Sequence, residues 1–537
     1  AYAKHRHGKV DFAYNKVISL KSIFKPRKTL ICKVMEIKMI DIDYLASGPV
    51  RRAIIRIKRR LKSLPRDIAS YMARLPGRAA RAVKRIPDAL AGYARIFARG
   101  DFFTRLSFLI MGAGCIRRKR FAKGLLYLAV QLVFWFYFLN SGIYYIAKLK
   151  NLGSNVQTEI WNEDKGIFEY TKGDNSMLVL LYGITALILL FVYLAIYLSN
   201  IRDAYYSERL ARDGGHMPTL RDELYSLANE NFHKTLLFVP SLAVIVFTVL
   251  PLVFMVTIAF TNYDRFHMPP GNLFTWVGFE NFRSLLGFGE NKLLSSTFRG
   301  ILGWTLVWAL FATITNYTLG MILAILINKR GIKYKKFFRT IFVLTIAIPQ
   351  FVSLMFMRIL LSETGLVNVF LEQIGLISQP VRFLTDANLA RITVIVVNMW
   401  VGIPYSMLIT TGILLNIPED LYEASRIDGA SPVVQFTKIT LPYVLFVTTP
   451  YLITQFVGNI NNFNVIWFLS SGGPMSGDYY QGGKTDLLIT WLYRITTGEQ
   501  NYKLASVIGI ATFVVSAAFS LLVYNRTASE NKEGDFQ

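Results

Sequence analysis

The sequence predicts an all-α polytopic membrane protein with about eight transmembrane helices, on three observations. Of its 537 residues 53% are hydrophobic and the mean hydropathy is +0.37, too apolar for a soluble globular chain of this size. Several runs reach the ~20 apolar residues that a ~30 Å hydrocarbon layer requires. Basic clusters fall on alternate connections between these runs, as in a chain that crosses a membrane repeatedly.

The formal net charge of +26 is uneven, because residues 1–123 hold 31 Lys and Arg against 7 Asp and Glu. Directly before a first apolar span, such a block marks the cytoplasmic side and an anionic lipid surface rather than a nucleic acid. Residues 1–99 therefore form a basic cytoplasmic N-terminal arm. Within it, 1–38 lack periodicity and mix basic with apolar residues, consistent with an upstream translation artefact and a start at Met35 or Met39. No secretory signal is visible. From Leu64 an 11-residue register runs past Pro65, Pro76 and Pro87; short helices lying on the inner leaflet and a disordered basic tail fit it equally. Cys32 and Cys115 suggest neither a disulfide framework nor a metal site, and His5 and His7 lack ligand spacing.

A second region, 100–234, holds an interfacial helix, the first two spans and a cytoplasmic loop. The spans are expected at about 124–147, 177–199, 235–259, 301–327, 340–361, 391–415, 442–467 and 503–525. Lys329, Arg330 and the cluster Lys333 to Arg339 place the connection between spans four and five in the cytoplasm, and Arg202, Arg209, Arg212 and Arg221 do the same for 200–234. Both termini are then cytoplasmic, with a soluble tail at 528–537. The outer loops (about 148–176, 260–300, 362–390 and 468–502) are too short for a substantial extra domain, so substrate capture falls to a separate external protein.

The same count puts Asp420–Pro442 inside. Pro418 suits a first helical turn, with Glu419 and Asp420 after it at the positive end. Gly429 suits a left-handed helix stop, and Ser431-Pro432 a cap and restart. Val433, Phe436 and Ile439 follow at helical spacing up to Pro442. An ordinary surface helix needs no such punctuation. The pattern Glu423-Ala424-Ser425, then Gly429, then Ile439-Thr440-Leu441-Pro442 resembles the EAA loop of ABC-importer membrane subunits. The resemblance implies a type I ABC-importer permease fold over 235–527. It also implies a cytoplasmic coupling loop at 417–441, in which Glu423, Ala424, Ser425, Asp428 and Gly429 meet an ATPase.

Lys234–Asp264, Asn398–Ser425, Asn461–Pro474 and Thr485–Ile495 are similar to the MalF-type membrane subunit of maltose/maltodextrin importers. Gly100–Val130 resembles the lead-in of maltose-type permeases from single-membrane bacteria. This implies a bacterial cell-membrane subunit working with a second homologous permease, two copies of a cytoplasmic ATPase and an extracellular sugar-binding protein. Some family members carry a large external domain after the third span; here only about forty residues separate spans three and four.

Polar groups within spans are costly unless they face a cavity or partner. Span six holds Asn398, Trp400 and Tyr405 beside an expected break at Gly402-Ile403-Pro404, and span seven holds Gln455, Asn459, Asn461 and Asn462 around Gly458. Amides and a stacking ring suit sugars, but bonding between helices explains the same residues equally. The resemblance implies sugar contacts at Val401, Gly402, Tyr405, Gln455, Gly458, Asn459 and Asn462. Gly458 stands where the family has an aromatic platform and Gln455 where it has a small hydroxyl residue, so the pocket is reshaped. Asn316, Gln350 and Arg358 are read as packing or rim groups. The glycine-rich Ser470–Gly483 is expected to be a flexible outer loop touching the binding protein, as the family resemblance implies, or an idle surface loop.

No catalytic residue, cofactor or metal is expected. Gly483-Lys484-Thr485 mimics the end of a phosphate-binding loop, but Asp478 replaces the required glycine, so ATP belongs to another chain. The function expected is the permease of an ATP-driven oligosaccharide importer, for maltose or maltodextrins. The alternatives are the same machine with lactose, raffinose or a glycerol phosphate as cargo, and an ion-coupled secondary transporter, disfavoured because no acidic residue lies deep in a span.

Overall fold

Inside hydrocarbon every backbone N–H and C=O needs a partner within the protein, and the α-helix supplies one to each residue of an apolar run. The computed structural model describes residues 91–329 and 331–524. The chain divides into two units, Ala1–Ala94 and Arg95–Gln537. Nearly all of the basic arm, including its 11-residue register up to residue 90, and the tail from 525 lie outside the described residues.

Helices α1 (Phe102–Leu106) and α2 (Ala113–Arg117) lead into α3 (Phe121–Lys148). A hairpin of β1 (Glu159–Asn162) and β2 (Ile167–Tyr170) follows, a local exception to the all-α expectation. Then come α4 (Ser176–Arg212), α5 (Leu220–Ala228), α6 (Phe232–Ile258), α7 (Glu280–Leu286) and α8 (Lys292–Asn328). Next are α9 (Lys335–Ala347), α10 (Gln350–Leu360), α11 (Leu366–Gln373) and α12 (Ala387–Leu415). The chain closes with α13 (Glu419–Ile427), α14 (Pro432–Gln435), α15 (Leu441–Ile460), α16 (Phe463–Ser470), α17 (Leu488–Thr497) and α18 (Tyr502–Tyr524).

Among the described residues seven helical stretches are long and apolar enough to cross a membrane, and the pair α9–α10, bent by 90°, makes an eighth. The expected fifth span is therefore not a straight helix but breaks at Ile348-Pro349. The pair still crosses. Phe342 of α9 packs with Met407 and Leu414 near one end of α12, while Leu354 of α10 packs with Val394 and Val397 toward the other. The four long connections gather at that second end, here called the far end: Trp276 donates to the Leu149 carbonyl (2.8 Å), Lys503 pairs with Asp264 (2.7 Å), and Arg391 donates to the Lys484 carbonyl (2.9 Å).

The lead-in is not one interfacial helix. α1 and α2 fold back onto the last turns of α4, and charges meant for water end up inside. Arg118, only 7% exposed, bonds Asp101 (2.7 Å), Thr104 (3.1 Å), and the carbonyls of Gly114 and Ala204. Arg120 bonds Glu223 of α5 (2.6 Å) and Ser207 (2.8 Å). Asn200, fully buried, accepts from the Gly112 amide and donates to the Ser107 carbonyl. Partial burial pushes the Asp101 carboxyl up, but hydrogen bonds from Thr104 and Arg118 outweigh it and hold it below the usual carboxylate range.

Arg118 is buried although Asp101 is partly exposed, and removing the arginine leaves the Gly114 and Ala204 carbonyls and the Thr104 hydroxyl without this donor, at about 1–3 kcal/mol for each left unmet. Arg118→Ala is expected to lower the melting temperature of the detergent-purified protein by several degrees. Lys165→Ala, on the exposed hairpin, is expected to leave it unchanged.

Candidate functional site

The loop 417–441 starts where α12 ends. α13 stops as its punctuation foretold: Gly429 adopts φ +73°, and the Ala430 amide closes back onto the Ser425 carbonyl (2.9 Å). Ser431 then caps α14, its hydroxyl accepting from the Val434 amide (3.4 Å). Side-chain bonds brace α13 and tie it to the segment that follows. Gln435 donates to the Ser425 hydroxyl (2.8 Å), Ser425 donates to the Tyr422 carbonyl (2.8 Å), and the Tyr422 and Thr440 hydroxyls share a bond of 2.9 Å. Tyr422, Phe436 and Ile439 seat the loop on Tyr317 and Met321 of α8 and Val444 of α15.

Val433, expected to share that face, is instead 70% exposed, and Ile427 is 87% exposed. Glu423, Ala424, Asp428 and Gly429 are exposed beside them, and Glu423 has no partner among the described residues; Ser425 is partly covered, its hydroxyl tied to Gln435. Nothing lies within 4 Å of where a Gly429 Cβ would sit. The tip thus exposes apolar Ile427 and Val433 side by side with the charged Glu423 and Asp428.

The in-span residues sort differently from expectation. α12 runs unbroken through Gly402-Ile403-Pro404. A proline removes one backbone hydrogen bond, and the packing around α12 holds the rest. Gly402 serves close approach: a Cβ there would fall 2.0 Å from the Asn316 amide nitrogen of α8. One turn on, Gly320 of α8 does the same for Ser406 of α12 (2.5 Å). The interruption in span seven lies at Asn461 and Asn462, between α15 and α16, rather than at Gly458.

Asn459 and Asn462 staple that interruption. Asn459 is buried, donates to the Thr313 hydroxyl (3.0 Å) and lends its carbonyl to the Trp308 indole (3.1 Å). Asn462 caps α16 at the Val465 amide (3.2 Å) and reaches the Asn459 oxygen (3.4 Å). Val401 packs at the edge of the central core. Open positions are Tyr405, 48% exposed with an unpartnered hydroxyl among the described residues, Gln455, and Gly458, beside which nothing lies within 4 Å. α8 joins the two sets: Asn316 meets Gly402 and Thr313 meets Asn459. The composition of α8 did not single out Thr313 or Trp308; polarity at an inward position was the one available sign.

Ser470–Gly483 is tightly held rather than loose. The buried Asp486 accepts from the Gly483 amide (2.8 Å), Thr490 (2.8 Å) and Arg494 (3.3 Å), and Arg494 also bonds the Ser471 carbonyl. A side chain at Gly472 (φ +76°) would collide with the Asp486 carboxylate. Tyr480 bonds Thr297 (2.7 Å) and Trp304 bonds the Thr485 carbonyl (3.1 Å), pinning the loop to α8. Gly483-Lys484-Thr485 thus belongs to a carboxylate-centred turn. Burial raises the Asp486 carboxyl above its ordinary range, and Arg494 offsets this only in part.

Residues 316–527 match the family described as the binding-protein-dependent transport system inner membrane component. The galactooligosaccharides transport system permease protein GanP of Bacillus subtilis (strain 168) is 35% identical over 431 residues, 79% of this chain and 97% of that protein. The chain belongs to this permease family. It is a multi-pass membrane component of a binding-protein-dependent transporter, of the inner membrane by the family's description. A second similar permease is the maltodextrin transport system protein MalC of Streptococcus pneumoniae serotype 4, 34% identical over 431 residues (78% and 94% of the two chains). The maltose/maltodextrin permease MalF of Photorhabdus laumondii subsp. laumondii is 35% identical over 260 residues, 48% of this chain and 49% of that one.

A carboxyl raised in the folded state stabilises fully below its unfolded range, and that contribution fades as pH rises through the raised value. Relative to Asp486→Asn, the wild-type permease is therefore expected to lose thermal stability as pH climbs from the ordinary carboxylate range upward. A constant difference in melting temperature across pH would contradict this.

Proposed function

We propose that this permease is the membrane subunit of an ATP-driven importer of maltodextrin-type oligosaccharides, with 417–441 as its ATPase-coupling loop. It works with a second homologous permease, two ATPase copies and an extracellular sugar-binding protein. Its termini and the loop 417–441 face the cytoplasm, and its basic arm lies against anionic lipid. The observation that carries the reading is continuity. The exposed tip around Glu423 and Gly429 is joined through Asn416–Pro418 to the helix bearing Val401, Gly402 and Tyr405. Motion of a docked ATPase reaches the sugar residues without passing through a flexible linker, and it switches access between two arrangements of the spans.

Tyr405 and Gln455 offer an aromatic face, a hydroxyl and an amide to a polyol, while Asn459 and Asn462 shape the floor beside them. The maltodextrin cargo rests on the MalC and MalF relatives. GanP, at 35% identity over most of its length, together with the open position at Gly458, favours galactooligosaccharides as the second reading.

Uptake of maltotriose and of galactotriose, measured with the partner subunits present, separates these. Tyr405→Ala is expected to abolish uptake, and Gly458→Phe to shift preference between the sugars. Wild-type uptake of galactotriose alone would transfer the assignment to the second reading. Gly429→Asp meets open space, and the left-handed turn (φ +73°) strains its backbone modestly, as Asp tolerates that region better than most residues, so the variant is expected to reach the membrane and transport nothing. Normal transport by it would remove the coupling assignment.

A further inference from the structure

Asn316 of α8 is 9% exposed, and its Oδ1 is buried with no hydrogen-bond donor. Such an acceptor is rare in a folded protein, since most buried polar atoms are partnered. Its position is built rather than accidental. Gly402 leaves the notch the amide occupies, where any Cβ would fall 2.0 Å from its nitrogen. On either side of it along α8, the Thr313 and Tyr317 hydroxyls bond Asn459 (3.0 Å) and Thr448 (2.6 Å) of α15. The amide therefore stands where α8, α12 and α15 converge.

A complementary group waits nearby. Asn398 lies one turn before Gly402 on the same face of α12, is 3% exposed, and has a buried Nδ2 with no acceptor. An unanswered acceptor on one helix and an unanswered donor on the next call for a group that donates and accepts at once. A hydroxyl does both, and an oligosaccharide carries many.

We propose that Asn316 is a sugar-binding residue, its Oδ1 receiving a hydroxyl of the transported oligosaccharide when α15 parts from α8. This rests on the sugar-permease reading and adds a contact from α8, which contributes none of the residues the family resemblance implies. Separation breaks the Asn459–Thr313 and Tyr317–Thr448 bonds and leaves Asn316 seated on Gly402.

The test uses the complete transporter with its binding protein in proteoliposomes, with maltotriose and galactotriose as sugars. Asn316→Leu keeps the branched shape, with bulkier methyls, and removes the amide; Asn316→Ala removes both. Both variants are expected to raise the KM of uptake about tenfold, with ATPase turnover at saturating sugar within about twofold of wild type. With maltotriose (or galactotriose, if that is the cargo) deprived of single hydroxyls in turn, one analogue should be poorer than the parent for wild type and equal to it for Asn316→Leu. Unchanged KM in Asn316→Leu overturns the assignment. So does a raised KM with no analogue singled out, the behaviour of a buried water or of packing alone. A wild type that imports neither sugar refutes the oligosaccharide reading and this contact with it; a wild type that imports one beside a Leu variant of equal KM refutes the contact only.

Discussion

The central helices are registered by two reciprocal notches between α8 and α12. Asn316 enters the backbone gap at Gly402, and Ser406 enters the gap at Gly320, one turn farther along both helices. In lipid there is no hydrophobic drive between apolar helices, so close packing at small residues decides which surfaces meet. These contacts set the two parallel helices in a single register. Around that pair α8 reaches four core clusters, among them those holding Leu354 of α10, Trp491 of α17 and Val444 of α15.

A bundle fixed in this way can tolerate breaks elsewhere, provided freed polar groups are answered. At Asn461 and Asn462 the chain leaves helical geometry; Asn462 answers the freed Val465 amide, and Asn459, just before the break, ties it to Thr313 of α8. At Ile348-Pro349 the pair α9–α10 turns through 90° and is held at its two ends by Asn328 (through Arg339, 2.9 Å) and Ser471 (through Arg358, 2.8 Å). At the far end the buried Asp486 organises a loop that closes over α8. Each irregularity is paired with a polar side chain placed to meet it.

Much of this was legible in the sequence where the physics is local. Pro418, Gly429, Ser431 and Pro432 each constrain their own backbone, so the two-helix loop could be read residue by residue. Hydropathy alone located the spans. What could not be read depends on facing partners. Prolines 240, 404 and 450 lie within helices while Pro349 ends one, because neighbouring packing decides whether a lost bond becomes a bend. Asn459 reads as site or staple until Thr313, 146 residues away in sequence, is placed beside it. The arginines of the lead-in look like surface charge until Asp101, Ser207 and Glu223 arrive from elsewhere in the chain. Gly402 suggested a weak point in its helix, and only the approach of Asn316 shows it to be a seat.

The notches also act as a fulcrum. Sliding α12 along α8 would unseat both close approaches, whereas a tilt about residues 402–406 would displace them least. At ~1.5 Å per residue, roughly 17 Å of α12 lies between that pivot and Leu415, and roughly 26 Å between it and Ala387. A sideways push of about 1 Å delivered through α13 therefore swings the opposite end by about 1.5 Å the other way. Under the coupling proposed above, the two ends of α12 move in opposite senses while the side chains nearest the pivot travel least.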